Sequence, residues 1–553
     1  MKKKKGISLI VLIITIIVVI ILAVTVILTV TKNNPIESAK EAAFKEDVRA
    51  FQDELNMYIS KEYTYLQGQR DSKITAKGYG KDGEKDSVYT YVPDFKKKYE
   101  GKLAIKEDMI EYIGTDEKEK QWLLNSGVYI SKTLTLNYVD GNGNKLLESE
   151  KISLLDNEYR IEVKKIDGYL PLEEVVEGNT STDIEINVEY CAICNDLAFK
   201  GLNSSSKETD NEDEIVAYEV AGIGNCNNPN IAIPREYNNK PVIHIKQSAF
   251  AFNQSIKSLI VEDNIKTWGV WTFRDCQNLK KIKINSSRVG NDAFWNCKNL
   301  VDVFLGENVK ILEAYSFEYC EKLTKIKIPN NVESIQQYVF KGCTNLKEID
   351  LQSPKITSFN LGFLENCNKL DTFIFPEDAY YIEDNILYTK NKQEMLLMLP
   401  QNKIEDYTVN NEVLYIRNGA CSYSNIKNLK INNNVKSIAD NGFCGCSKLE
   451  TIDIDIVSAG RNSFMNCSNL KNAKLSIETT GFDMFWNCTN IQSVTFDSKL
   501  KRINGYLFEN CPKLTEIQFL GTIEQWESVT KDGNWKKNSN LKVVKCTDGD
   551  LNL

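Results

Sequence analysis

The side chains able to do chemistry in this chain are cysteines, carboxylates and one imidazole. Fifteen cysteines lie between Cys191 and Cys546. Nine of them (Cys276, Cys297, Cys320, Cys343, Cys367, Cys446, Cys467, Cys488 and Cys511) recur at steps of 21–24 residues, with one long gap. An odd total over so long a chain is not a small stapled framework. A free cysteine behaves as a small hydrophobe, so these nine are expected to be buried thiols. Cys191 and Cys194 have the CxxC spacing of metal and redox pairs, but no second pair and no nearby histidine completes a site. The expected role is a junction near a domain cap. His244 is the only histidine, whereas hydrolytic triads and many zinc sites draw on at least one. The sequence therefore assigns no catalytic residue, no metal ligand and no cofactor. "DGNGN" at 140–144 invites a calcium reading, but an EF-hand loop wants Gly at its sixth position and Glu at its twelfth. Lys145 and Lys151 stand there, so a plain turn is expected.

The elements that hold these residues begin with 26 uncharged residues, 6–31, preceded by Lys2–Lys5. A helix of about 20 apolar residues spans a bilayer. The positive-inside rule then puts the lysines in the cytoplasm and everything after residue 32 outside. A stalk helix is expected over 32–66, with Ala39, Ala42, Ala43, Phe44, Val48, Phe51, Leu55 and Ile59 near helical spacing. A small α+β region over 67–130 and a β-module over 131–190 follow, the latter opening on a hairpin signal at 134–155. The net charge of −8 argues against nucleic acid as a ligand.

From about residue 191 the chain repeats itself: "FWNCKNL" at 294–300 returns as "FWNCTNI" at 485–491. Aligned on its first position, the phrase gives Phe250, Phe273, Phe294, Phe317, Phe340, Leu364, Ala420, Phe443, Phe464, Phe485 and Phe508. Three residues further on comes the recurrent cysteine, then Leu or Ile, and the period changes from three to two, as at Ile282 and Ile284. Spacing of three predicts a helical or 3₁₀ turn, and spacing of two a strand with one buried face. A unit of 21–24 residues cannot bury its own apolar side, so it must stack on copies of itself. The fold class expected is mainly β with α, a leucine-rich repeat solenoid over 191–546. An insertion at 376–412, probed by "DAYYIEDNILYTKNKQEMLLMLP", is expected to form a hairpin.

Three resemblances add to this reading. Lysines, Gly6 and the helix opening "ISLIVLI" resemble a type IV pilin-like leader, which implies cleavage between Gly6 and Ile7. The chain departs from that family at Val11, where the family carries glutamate. "YVDGNGNKL…GYLP…INVEY" is similar to the mucin-binding-protein type of β-module. "SFEYCEKLTKIKIPNNVESI" at 316–335 resembles the BspA-type leucine-rich repeat, and 218–245 and 520–529 resemble that family's caps. The family implies adhesion, or contact with a host or matrix. The expectation is a bacterial cell-surface protein anchored through residues 7–31, binding protein or glycan ligands on other cells or matrix. A structural or tip subunit of a pilus-like fibre is the alternative, and a carboxylate-only glycosidase stands third. On the strand, the residue between the two apolar positions points out of the sheet onto the concave face. The candidate ligand-binding residues are therefore Lys283, Phe304, Lys327, Asp350 and Ile374, continued by Lys430, Asp453, Lys474, Thr495 and Gln518.

Overall fold

The computed structural model describes residues 35–66 and 102–553, apart from 107–108, 113, 115, 124–128, 131, 155–157, 181 and 401. The expected membrane helix over 7–31 and the Gly6–Ile7 cleavage position lie outside the described residues. Among the described residues no helix is long and apolar enough to cross a membrane. The chain divides into two compact units.

The first unit comprises residues up to 137 together with 148–162 and 175–187. Its helix, Pro35–Leu66, buries Phe44, Val48, Phe51 and Leu55. These fall at intervals of four, three and four, one stripe of a 3.6-residue helix. Ala39, Ala42 and Ala43 face solvent, because the large side chains alone define the stripe. Leu103–Lys106 and Met109–Tyr112 form a hairpin, and Tyr129–Ile130 joins it in parallel. Tyr112 meets Phe44 edge-on at 6.3 Å and donates to Glu119 at 2.7 Å.

The second unit, comprising 138–147, 163–174 and 188–553, is the solenoid. The Asp140 turn is plain, as expected. Its carboxylate accepts from the Asn142 and Asn144 amides at 2.9 and 2.8 Å and from the Asn144 side chain at 2.9 Å. Most rungs of the solenoid lay down a four-residue strand on one face, with Lys281–Ile284 alternating half-buried and buried. Parallel partners stack rung on rung, Ile282 beside Leu259 and Val303. The repeated phenylalanines form two interior stacks. Phe250, Phe273, Phe294, Phe317 and Phe340 follow one another at 4.7, 5.4, 5.6 and 5.6 Å, with their planes within 10°. Phe443, Phe464, Phe485 and Phe508 also stack, at 5.3, 5.8 and 5.8 Å, with their planes within 18°.

The period-three stretch is neither an α- nor a 3₁₀-helix. It is a pair of linked turns, closed by Cys276 N to Phe273 O at 3.3 Å and Leu279 N to Cys276 O at 3.2 Å. Left-handed residues on either side of the ring, Trp271 and Asp275 in this rung, prevent a helix from continuing. They also turn backbone N–H groups toward the next rung, as Phe273 N to Ala293 O at 2.8 Å.

The recurrent cysteine has a specific task here. Its thiol donates to the carbonyl of the preceding rung's ring residue: Cys276 to Phe250 O at 3.1 Å, Cys297 to Phe273 O at 3.1 Å and Cys488 to Phe464 O at 3.2 Å. A buried carbonyl left unpaired costs free energy, and a thiol small enough for the slot satisfies it. Burial pushes the Cys297 and Cys467 thiols up, and that of Cys367 to about 12, which keeps these three protonated and unreactive.

One rung corrects the expected register. Cys446 donates to Cys421 O at 3.1 Å, so Cys421 and not Ala420 holds the ring position. Gly419 and Tyr423 have the flanking left-handed backbones, and Ser424 stands where other rungs have cysteine. This rung is one residue shorter before its apolar Ile426, which shifts the apparent alignment. Upstream of it, Tyr380–Glu383, Ile386–Thr389 and Glu394–Met398 form antiparallel pairs, the hairpin expected of the insertion.

Some positions exclude any side chain. A methyl on Gly481 would stand 1.9 Å from the Gly460 carbonyl oxygen, since consecutive backbones touch there.

Candidate functional site: the sheet face and the N-terminal cap

The outward residues of the strands stand in register, but the first array does not make one continuous row. Lys283 pairs with Phe304 on strands Lys281–Ile284 and Asp302–Leu305. Lys327, Asp350 and Ile374 belong to a separate sheet beginning at Lys325–Ile328. Lys283 is already engaged. Its Nζ lies 2.8 Å from Glu174 and 3.3 Å from the Pro171 carbonyl, leaving its side chain 12% exposed. Lys281 bonds Glu189 at 3.0 Å in the same place. Segment 170–174 thus covers the start of this face, and Phe304 is half-buried beside it. Burial pushes the Glu173 carboxyl up, with Lys281 opposing it. Lys327 is exposed, Ile374 is 46% exposed, and Asp350 accepts from Gln352.

The second array makes the row that the first does not. Lys430, Asp453, Lys474, Thr495 and Gln518 occupy consecutive partners across five strands, Asn428–Ile431, Thr451–Ala459, Asn472–Thr479, Ser493–Phe496 and Glu516–Phe519. Four of them line an open groove of about 450 Å³ with Asp455, Ser476, Asp497 and Leu520. A hollow of about 230 Å³ continues it past Asp406, Thr408 and Asn428. Lys474 stands 3.5 Å from Asp453, with both side chains at least half exposed. Asp455 accepts from Lys499 at 2.7 Å and from Ser476 at 3.0 Å. Burial would raise its carboxyl, but these two hydrogen bonds outweigh that and hold it below the usual carboxylate range. The groove therefore offers ammonium, carboxylate, hydroxyl and amide groups in alternation, suited to polar contacts along an elongated ligand.

The remaining chemistry-bearing groups gather in the N-terminal cap. Cys194 is disulfide-bonded to Cys226, with their Cα atoms 6.2 Å apart, while Cys191 is a buried free thiol. The CxxC pair is thus divided between two fates. The bridge was not foreseen from spacing, because its partner lies 32 residues away on a loop. His244 Nδ1 lies 2.6 Å from Thr267 Oγ1, and Nε2 lies 3.7 Å from Glu219. Glu219, His244 and Thr267 are register partners on neighbouring parallel strands, so the trio is a cross-strand contact. Burial pushes His244 down and keeps its imidazole neutral. Among the described residues no group of three or more His, Cys, Asp or Glu could hold a metal ion.

Comparison with known proteins identifies the array. The model of the BspA type leucine rich repeat region matches six copies at 193–289, 222–317, 287–415 and 414–530, together more than half of the chain. The chain belongs to the BspA-type leucine-rich repeat family. The MucBP domain matches residues 133–190. No curated protein matches. Among solved structures, a leucine rich cell surface protein from Faecalibacterium prausnitzii is 22% identical, with 59% of this chain and 95% of that one covered at a TM-score of 0.41. A leucine-rich repeat protein from Eubacterium ventriosum is 21% identical, with 61% and 95% covered at 0.44. The pneumococcal vaccine antigen PcpA is 17% identical, with 64% and 93% covered at 0.36. The rungs described above carry the BspA-type pattern residue by residue: ring, thiol, leucine and alternating strand.

Proposed function

We propose that this BspA-type protein is a bacterial cell-surface receptor that binds macromolecular ligands, protein or glycan, along the sheet face of its second array. The observation that supports this most is the uninterrupted row from Lys430 to Gln518 over an open groove. Solenoids use such extended faces for recognition. On this reading Lys430 and Lys474 contact the ligand, whereas Lys283 serves as a strut. The test is a glycan array and a host-protein pull-down with the full chain in detergent, followed by titration of the strongest ligand. Lys430→Glu with Lys474→Glu should weaken binding about tenfold or more, since two favourable charged contacts become repulsive. Lys327→Glu, on the other sheet, should leave it unchanged. Equal loss from Lys327→Glu, or no loss from the double variant, would place the site elsewhere.

Residues 7–31 supply the anchor in this proposal, with Lys2–Lys5 in the cytoplasm and the repeats outside. Protease added to intact cells is expected to remove the repeat array. Complete protection of the C-terminal region would refute the topology.

A further inference from the structure

On the turn side of the first rungs, three aromatic rings surround one guanidinium. The Arg274 Cζ atom stands 5.7 Å from the ring centre of Phe252, 5.7 Å from that of Trp271 and 4.4 Å from that of Trp295. Phe252 is 63% and Trp271 38% exposed, so both rings face water. Arg274 is held from behind. Its Nε donates to Asp275 at 3.1 Å, and the other Asp275 oxygen accepts from the Asn296 amide. Among the described residues, its two terminal nitrogens donate to nothing. Trp295 is fixed as well, its indole N–H donating to Glu318 at 2.9 Å. Asp292 is the other acid in the field of Arg274, and burial pushes its carboxyl up.

Both exposed rings also sit on an unfavourable backbone. Phe252 and Trp271 have φ of +62°, a region that bulky L-residues rarely occupy. The equivalent positions elsewhere carry residues that tolerate it: Asp292, Asn441 and Asn462 in place of Trp271, and Asn296, Asn466 and Asn487 in place of Phe252. Tyrosines at these positions have other roles. The Tyr338 and Tyr423 hydroxyls bond each other at 2.9 Å, and Tyr315 stacks on Tyr338. Phe252 and Trp271 fill no core. Both rings lean instead on Arg274, Trp271 also interacting with Asp292, and tyrosines take the same backbone at 319 and 506, so what marks this corner is the cluster of exposed rings around one guanidinium.

We propose that this corner binds a sugar residue that carries a carboxylate, with the acid taken by the free fork of Arg274 and the ring face laid against Trp271 or Phe252. A guanidinium fork matches a planar anion, and aromatic faces supply the apolar contact. The patch spans only three rungs, whose core rings are 4.7 and 5.4 Å apart. A stable protein interface needs about 20–30 residues a side. Backbone donors here are already used between rungs, as Phe252 N to Arg274 O at 2.7 Å and Asp275 N to Trp295 O at 2.9 Å, so an extended peptide finds no strand edge. The corner shares no residue with the groove of the second array.

The experiment titrates the full chain in detergent, by saturation-transfer NMR and tryptophan fluorescence. Its probes are 3′-sialyllactose, a glucuronate-bearing disaccharide, lactose, sodium sulfate and a tetraglutamate peptide. At least one acidic sugar should bind, and lactose should bind about tenfold more weakly or not at all. Arg274→Lys keeps the charge but loses the fork and should weaken binding about tenfold. Trp271→Asn should do likewise while its melting temperature stays the same or rises, because asparagine suits that backbone. Failure of both acidic sugars, equal binding of lactose or sulfate, or unchanged affinity in both variants would overturn the proposal. Preference for the peptide would also overturn it, in favour of a protein partner.

Discussion

Replacing Phe340 by alanine is expected to lower stability by about 3–5 kcal/mol, the cost of emptying a large core slot. The ring is fully buried between Phe317 at 5.6 Å and Phe363 at 5.6 Å. Its removal leaves a void that two stacked rungs cannot close without shifting their strands. Phe464→Ala should cost about as much, because that ring sits between Phe443 and Phe485 at 5.3 and 5.8 Å. The two substitutions should act in different places. Phe340 belongs to a core running from Cys194 to Leu399, and Phe464 to one running from Ile386 to Val544. Repeat arrays couple mainly to their neighbours, so hydrogen exchange should show each variant loosening its own array first. Phe340→Leu should cost less, since Leu364 holds the same position natively, buried at 5% exposure. Thermal midpoints unchanged by both alanine variants would refute the stacked core.

The second large effect is expected in the N-terminal cap. Cys194→Ser with Cys226→Ser should destabilise by about 2–5 kcal/mol, the usual range for a lost native disulfide. The bridge joins residues 32 apart in sequence and closes the cap over Leu197 and Val220. The thirteen other cysteines are free, and twelve of those are buried. Unfolding without reductant should therefore release thirteen titratable thiols, and fifteen after reduction. Fifteen thiols without reductant would mean that the bridge does not form. Cys546 is the one half-exposed thiol, so in the folded protein it should react first with a thiol reagent.

Much of this architecture could be read from the sequence, and for one reason. A unit of 21–24 residues carries its whole packing pattern locally. Phe, Cys, Leu and the alternating strand must recur at fixed offsets if each rung is to bury its face on the next. The ring ladder and the buried thiols follow from that local grammar, while the hairpin within the insertion and the turn at Asp140 follow from short-range strand and turn signals. So does the direction of Lys430, Asp453, Lys474, Thr495 and Gln518 out of the strands, because side chains alternate along a strand.

What the tertiary structure decided depends on contacts that spacing does not encode. A one-residue shortening moved the ring position from Ala420 to Cys421, visible only from the carbonyl that Cys446 reaches. The role of the thiol as a donor to the preceding rung needs the distance between rungs. The Cys194–Cys226 bridge, the Glu174 contact that engages Lys283, and the division of the first array's strands between two sheets are all long-range events. So is the gathering of Phe252, Trp271 and Trp295 around Arg274, from three consecutive rungs. The sequence by itself determined the repeat and which side chains turn outward. Only folding decided which of those remain free to meet a ligand, because that depends on what the rest of the chain has already placed against them.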